Sequence, residues 1–75
     1  MRRNWNHSVY DPERLGDNIR NARVSLDISQ DEMALLCNMD RSYIGRIERG
    51  QVNLTVEKLY RLSEVLCVPV DRLLP

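Results

Sequence analysis

Residues 30–49 read QDEMALLCNMDRSYIGRIER, and this stretch decides the fold. Gln30 opens a short helix, and the small Ala34 falls four positions into it. A turn follows at Asn38-Met39-Asp40. A second helix then places Ile44 and Ile47 on one side and turns Arg41, Ser42, Arg46 and Arg49 away from them. Where two helices cross closely a large side chain would hold them apart, so Ala34 fits the crossing. The turn calls for a residue tolerant of positive φ, and Asn38 is second only to glycine in this respect. Met39 plugs the gap beneath the turn. The pattern describes two helices packed at a steep angle, the second presenting a polar, arginine-rich face. A helix of that kind fits the DNA major groove.

Outward from this stretch, every segment is helical in period and none alternates as a strand does. Asp11-Pro12-Glu13 is a helix start: an N-cap acceptor, a first-turn proline and an acid near the positive helix end. Leu15, Ile19, Ala22 and Leu26 follow at helical spacing and predict a helix over about 12–25, stopped at Asp27, which tolerates the left-handed conformation. Ser29 and Glu32 form a capping box for the second helix, whose buried face is Met33, Ala34 and Cys37. Asp40 caps the third helix and Gly50 ends it. Thr55 caps the fourth, with an inward stripe of Val56, Leu59, Leu62 and Leu66, and Pro69 opens a last short helix. Residues 1–10, MRRNWNHSVY, lack periodicity and read as a flexible N-terminal arm in which Trp5 and Tyr10 are able to pack back on the domain. Residues 11–75 form one all-α domain with no internal repeat.

Seventy-five residues hold one small core, which makes oligomerisation a reasonable expectation. No apolar run is long enough to span a membrane, and no signal peptide is evident, so a cytoplasmic location is expected. Cys37 and Cys67 each lie in an apolar helical pattern and are expected to be buried reduced thiols. No cysteine–histidine cluster points to a metal, and no cofactor or small-molecule ligand is expected. The formal net charge is zero, which looks wrong for a nucleic-acid binder until its distribution is examined. Residues 1–10 carry +2, 11–40 carry −4, 41–50 carry +2, and the remainder balances. Ten of the eleven basic residues are arginine, the side chain suited to bidentate contacts with guanine and phosphate. Low net charge implies weak non-specific binding and reliance on a local patch.

On a helical wheel the outward direction of the third helix runs through Ser42, Gly45, Arg46 and Arg49, and Arg41 lies at the N-terminal end, where a recognition helix meets base edges. Gln30, at the start of the second helix, is placed to reach a phosphate with help from the helix dipole. Gly45 either permits close approach to DNA or is a neutral surface glycine. Tyr43, on the flank, either packs on the domain or reaches the nucleic acid. Arg23 and Glu48 are expected to form an internal ion pair that orients the third helix. Leu35 and Leu36 point away from the buried face; they are unremarkable singly and a small contact patch if paired. The arm residues Arg2 and Arg3 either reach the DNA backbone or minor groove or belong to a disordered tail.

Residues 15–74 resemble the phage-repressor helix-turn-helix domain, also called Cro/cI-type or XRE. The stretches that carry the resemblance are Leu15-Gly16 with Ile19-Arg20 and Arg23, then Ser29 to Ala34, then Arg41 to Gly50. Asn53-Leu54-Thr55-Val56 further resembles the controller proteins of restriction–modification systems. The resemblance implies a compact five-helix bundle of the lambda-repressor-like class and a homodimer on a near-palindromic double-stranded operator. It implies base reading by Arg41, Ser42 and Arg46, and phosphate contacts by Gln30, Tyr43, Arg49 and Asn53. Asp27 and Asn38 depart from the family's usual glycines, Leu54 from a frequent proline, and Gln51 from a common basic residue.

Val68, Val70, Leu73 and Leu74 exceed what one short helix buries in so small a core. They either close the monomer or form a self-complementary dimer interface, which a two-half-site operator requires. A phage or plasmid repressor is the alternative within the same fold, and gene neighbours separate it from a controller. A protein-interaction module using Leu35, Leu36 and the C-terminal apolar residues is the alternative of another class, and it lacks salt-dependent DNA affinity. An enzyme is not expected: the sole histidine, His7, lies in the arm, and no nucleophile–base or paired-carboxylate arrangement is apparent.

Overall fold

The computed structural model describes residues 11–75; the arm expected over 1–10, with Trp5, Tyr10, Arg2 and Arg3, lies outside the described residues. The described chain is all helical: α1 Pro12–Ser25, α2 Gln30–Cys37, α3 Arg41–Glu48, α4 Val56–Leu66 and α5 Val70–Leu73. The helix starts follow from side-chain acceptors that satisfy first-turn N–H groups. Glu13 and Arg14 donate their backbone N–H groups to the Asp11 carboxylate at 3.1 and 3.2 Å. The capping box of α2 is complete: Glu32 N–H donates to Ser29 Oγ at 3.0 Å and Ser29 N–H to Glu32 Oε1 at 2.8 Å. Lys58 N–H donates to Thr55 Oγ1 at 3.2 Å. Asp40 departs from expectation. It occupies the N-cap position of α3 but its side chain makes no cap hydrogen bond, because its carboxylate accepts from the Ser42 hydroxyl instead.

Four of the helices stop in the same way. Asp27, Asn38, Gly50 and Cys67 take left-handed conformations with φ of 59°, 55°, 73° and 57°. In each case the next residue reaches back to the carbonyl five positions earlier: Ile28 to Arg23, Met39 to Ala34, Gln51 to Arg46 and Val68 to Ser63. This is the Schellman arrangement, and an apolar residue after the left-handed position completes it by packing on the helix just ended. Ile28, Met39 and Val68 fill that role and lie against the core. Gly50 is the one glycine among the four, and it needs its missing Cβ doubly: a methyl there would sit 2.7 Å from the Glu13 Cα. Cys67 is the unexpected member. It is exposed at the end of α4, not buried in it, while Cys37 is fully buried. Burial pushes the Cys37 thiol up, with Arg61 nearby pulling it partly back, so Cys37 stays a neutral apolar filler.

The core is Leu15 and Ile19 from α1, Met33, Ala34 and Cys37 from α2, Ile44 and Ile47 from α3, Leu62 and Leu66 from α4, and Leu73 from α5. α3 packs against both α1 and α2, α4 lies across the same two helices, and α5 closes against α1 and α4. α1 meets α3 at Gly16, where an added Cβ would lie 2.5 Å from the Ile47 carbonyl oxygen and 2.7 Å from that of Glu48. No side chain larger than hydrogen fits between the helices there. Two stripe residues differ from expectation. Leu26 follows the end of α1 and is exposed, and Val56 at the start of α4 is 68% exposed, where the helix has not yet reached the core.

Candidate nucleic-acid interface

The short turn at Asn38-Met39-Asp40 brings the start of α2 beside the outer face of α3. Gln30, Arg41, Ser42, Gly45, Arg46 and Arg49 together line an open concavity of about 630 Å³. Three arginines and no carboxylate border it, so the face is locally positive in a chain of zero net charge. Arg41, Ser42, Arg46 and Arg49 are exposed, Gln30 is half-buried, and Gly45 is buried. The Arg49 guanidinium lies over Gly45, its Nη1 being 3.2 Å from where a Cβ would stand. Arg49 Nε also donates to Gln51 Oε1 at 3.3 Å.

Behind this face lies the polar network that fixes α3. Glu48 is buried and accepts from Arg23 Nε at 2.7 Å, from Arg23 Nη2 at 3.1 Å and from Gln30 Nε2 at 3.0 Å. Arg23 Nη1 donates in turn to the Ile28 carbonyl at 2.8 Å. One carboxylate thus ties the end of α3 to α1, to the α1–α2 turn and to the first residue of α2. Gln30 keeps its second amide hydrogen and its first-turn backbone N–H for another acceptor. Gln30 is thus a structural donor to Glu48 with donor capacity left over at the edge of the concavity.

Tyr43 is held between cations. Lys58 Nζ lies 4.6 Å from its ring centroid and Arg46 Cζ lies 5.7 Å away. The sequence pattern does not place Lys58 here, because its position beside Tyr43 depends on where packing sets α4 in the folded domain. Asp31 was also missed; its carboxylate lies 2.9 Å from Arg41 Nε. Asn53 is exposed in the loop before α4, beyond the residues that line the concavity. Of the four C-terminal apolar residues, Leu73 is 1% exposed and belongs to the monomer core, so it is not free to face a partner. Asn18 Nδ2 donates to its carbonyl at 2.8 Å and seats α5 on α1. Val68 and Val70 are half-buried and Leu74 is exposed. Leu35 and Leu36 are both exposed, Leu35 to 83%.

A family profile described as helix-turn-helix matches residues 19–73. The chain belongs to the helix-turn-helix family. The resemblance to Cro/cI-type (XRE) domains therefore holds, and the chain is a DNA-binding transcriptional regulator. Among its helix-turn-helix relatives, Control protein C.SmaI of Serratia marcescens is 36% identical over 62 residues, covering 83% of this chain and 74% of the relative. Control protein C.BamHI of Bacillus amyloliquefaciens is 35% identical over 60 residues, covering 79% of this chain and 74% of the relative. The crystal structure of the restriction-modification controller protein C.AhdI from Aeromonas hydrophila superposes with a TM-score of 0.81 at 33% identity, covering 84% of this chain and 96% of that one. The expected likeness to controller proteins holds as well. Among the described residues no helix is long and apolar enough to cross a membrane.

Proposed function

We propose that this regulator acts as a homodimer on a near-palindromic operator, as the controller of a restriction–modification system. The observation that carries the proposal is the concavity along α3, where Arg41, Ser42, Arg46 and Arg49 share one positive face with Gln30. Arg41, Ser42 and Arg46 read bases in the major groove. Gln30, Tyr43, Arg49 and Asn53 contact phosphates and set the register. The protein acts on DNA in the cytoplasm without cofactor, metal or small-molecule effector. Footprinting on the DNA upstream of its own gene tests this directly: two protected half-sites related by a dyad are expected, and an unprotected, unstructured pattern refutes it. A methyltransferase and an endonuclease gene alongside are expected for a controller.

Arg46 has no carboxylate within ion-pair distance among the described residues, so its guanidinium is available to a base. Arg46→Ala is expected to weaken operator binding by about 1–3 kcal/mol while the fold is retained. Titrations on operator and on random duplex distinguish its role, because equal losses on both would make Arg46 a phosphate contact.

The dimer surface is drawn from Val70 and Leu74 with Val68 at its edge. Leu74→Asp is expected to give monomers in sedimentation equilibrium at concentrations where the unaltered protein is dimeric, with its helical circular dichroism unchanged. A persistent dimer would move the interface elsewhere. Leu73→Asp is unsuited to this test, since Leu73 lies in the core and a buried unpaired charge would unfold the monomer.

A further inference from the structure

We infer that Asp31 is a specificity-determining positioning residue: it holds the Arg41 guanidinium with its terminal fork facing a base and takes that arginine out of general attraction for phosphates. The inference rests on the reading of Arg41 as a base contact. Its physical basis is an oddity of the interface. Asp31 lies beside the positive concavity, 73% exposed in its side chain, where a carboxylate repels the DNA backbone. The acid next to it, Glu32, has a local task, because its Oε1 accepts the Ser29 N–H in the capping box. Asp31 has no such bond; its ion-pair partner among the described residues is Arg41, ten positions on and across the turn. Both side chains are largely exposed, so their pairing adds little to stability. The consequence lies in the geometry.

The Asp31 carboxylate approaches Arg41 at Nε, 2.9 Å away, as an ion pair without the alignment of a hydrogen bond. An arginine whose counter-charge sits nearest Nε keeps both terminal nitrogens for the O6 and N7 of guanine, the bidentate pairing that reads this base. The same contact offsets the arginine's charge. A paired Arg41 gives less of the sequence-independent attraction that any duplex exerts on a free cation. Asp31 thus acts on both sides of the specificity ratio: it raises the specific term by orientation and lowers the non-specific term by charge. Arg46, with no such carboxylate among the described residues, has neither effect applied to it.

Selection from a randomised duplex pool, followed by titration of the selected duplex and a scrambled duplex, tests the inference with four proteins: unaltered, Asp31→Ala, Arg41→Ala and the double variant. The unaltered protein is expected to select a guanine at one position per half-site, and Arg41→Ala to lose that preference. Asp31→Ala is expected to weaken the preference at that same position alone. It is also expected to bind the scrambled duplex more tightly, so that the ratio of selected to scrambled affinity falls roughly three- to tenfold. In the Arg41→Ala background, Asp31→Ala is expected to leave the base preferences unchanged. If Asp31→Ala raises both affinities by the same factor, the carboxylate is only a repulsive charge and the inference fails. If it alters other positions, or alters preferences equally without Arg41, the inference also fails. If the unaltered protein selects no sequence, the assignment of Arg41 as a base reader falls, and the inference falls with it.

Discussion

Gly16→Ala is expected to lower the thermal unfolding midpoint by roughly 10–20 °C, a loss of about 2–4 kcal/mol for a domain of this size. The added methyl would stand 2.5 Å from the Ile47 carbonyl oxygen, 2.7 Å from the Glu48 carbonyl oxygen and 2.9 Å from the Glu48 carbonyl carbon. All three are backbone atoms of the last turn of α3, so no side-chain rotation relieves the contact. The helices must separate, and the core residues they contribute, Leu15 and Ile19 from α1 and Ile44 and Ile47 from α3, pack less closely. Alanine's better helix propensity returns about 1 kcal/mol, which is less than the separation costs. Gly45 supplies the internal control. It too is a buried glycine in a helix, but its added Cβ would meet only the far end of the flexible Arg49 side chain, at 3.2 Å. Gly45→Ala is therefore expected to stabilise by about 0.5–1 kcal/mol. Melting curves of the two variants decide the matter. Opposite trends, with the loss at Gly16 the larger, support the crossing geometry, whereas a mild effect at Gly16 would mean that α1 and α3 are less closely seated.

This contrast also marks how far the sequence could be read. Local rules placed the helices because local chemistry forms them: the Asp11, Ser29 and Thr55 caps, the left-handed stops at Asp27, Asn38 and Gly50, and the apolar faces of α2 and α3 all act within a few residues. The site's makeup was legible for the same reason, since Ser42, Arg46 and Arg49 share a face through the period of one helix. The wheel could not show which helix lies over which. Gly16 looks like an unfavourable helix residue until the end of α3 is seen against it. Leu73 belongs to an apolar surplus until Asn18 is seen to seat it in the core. Cys67 misled because its apolar setting suggested burial, yet α4 ends one residue earlier and the chain turns through it. Lys58 and Asp31 reach the site from outside α3, and their partners, Tyr43 and Arg41, are fixed by helix packing alone.

Glu48→Ala is expected to destabilise the domain by about 3–5 kcal/mol, the usual cost of removing one member of a buried pair. A chain of 75 residues has a total stability of about 4–11 kcal/mol, so the variant would stand near the edge of folding. The cost has three parts. The Arg23 guanidinium, 12% exposed, loses its counter-charge. It loses two hydrogen bonds, at 2.7 and 3.1 Å, and keeps only the one to the Ile28 carbonyl. Gln30 loses the acceptor that holds its amide at 3.0 Å. The pairing need not be stabilising against an apolar alternative of the same volume, however, because burying two charges is itself costly. Arg23→Met with Glu48→Leu is accordingly expected to recover most of the stability lost by Glu48→Ala. Urea midpoints at constant m measure both variants, and a double variant as unstable as the single one would show that the network binds the helices together in a way packing cannot replace. Binding should separate from stability in the recovered protein. Its Gln30 amide has no anchor, so affinity for operator and random duplex is expected to fall together, as a misplaced phosphate contact requires. Retained affinity would show that the Gln30 amide is not a phosphate contact.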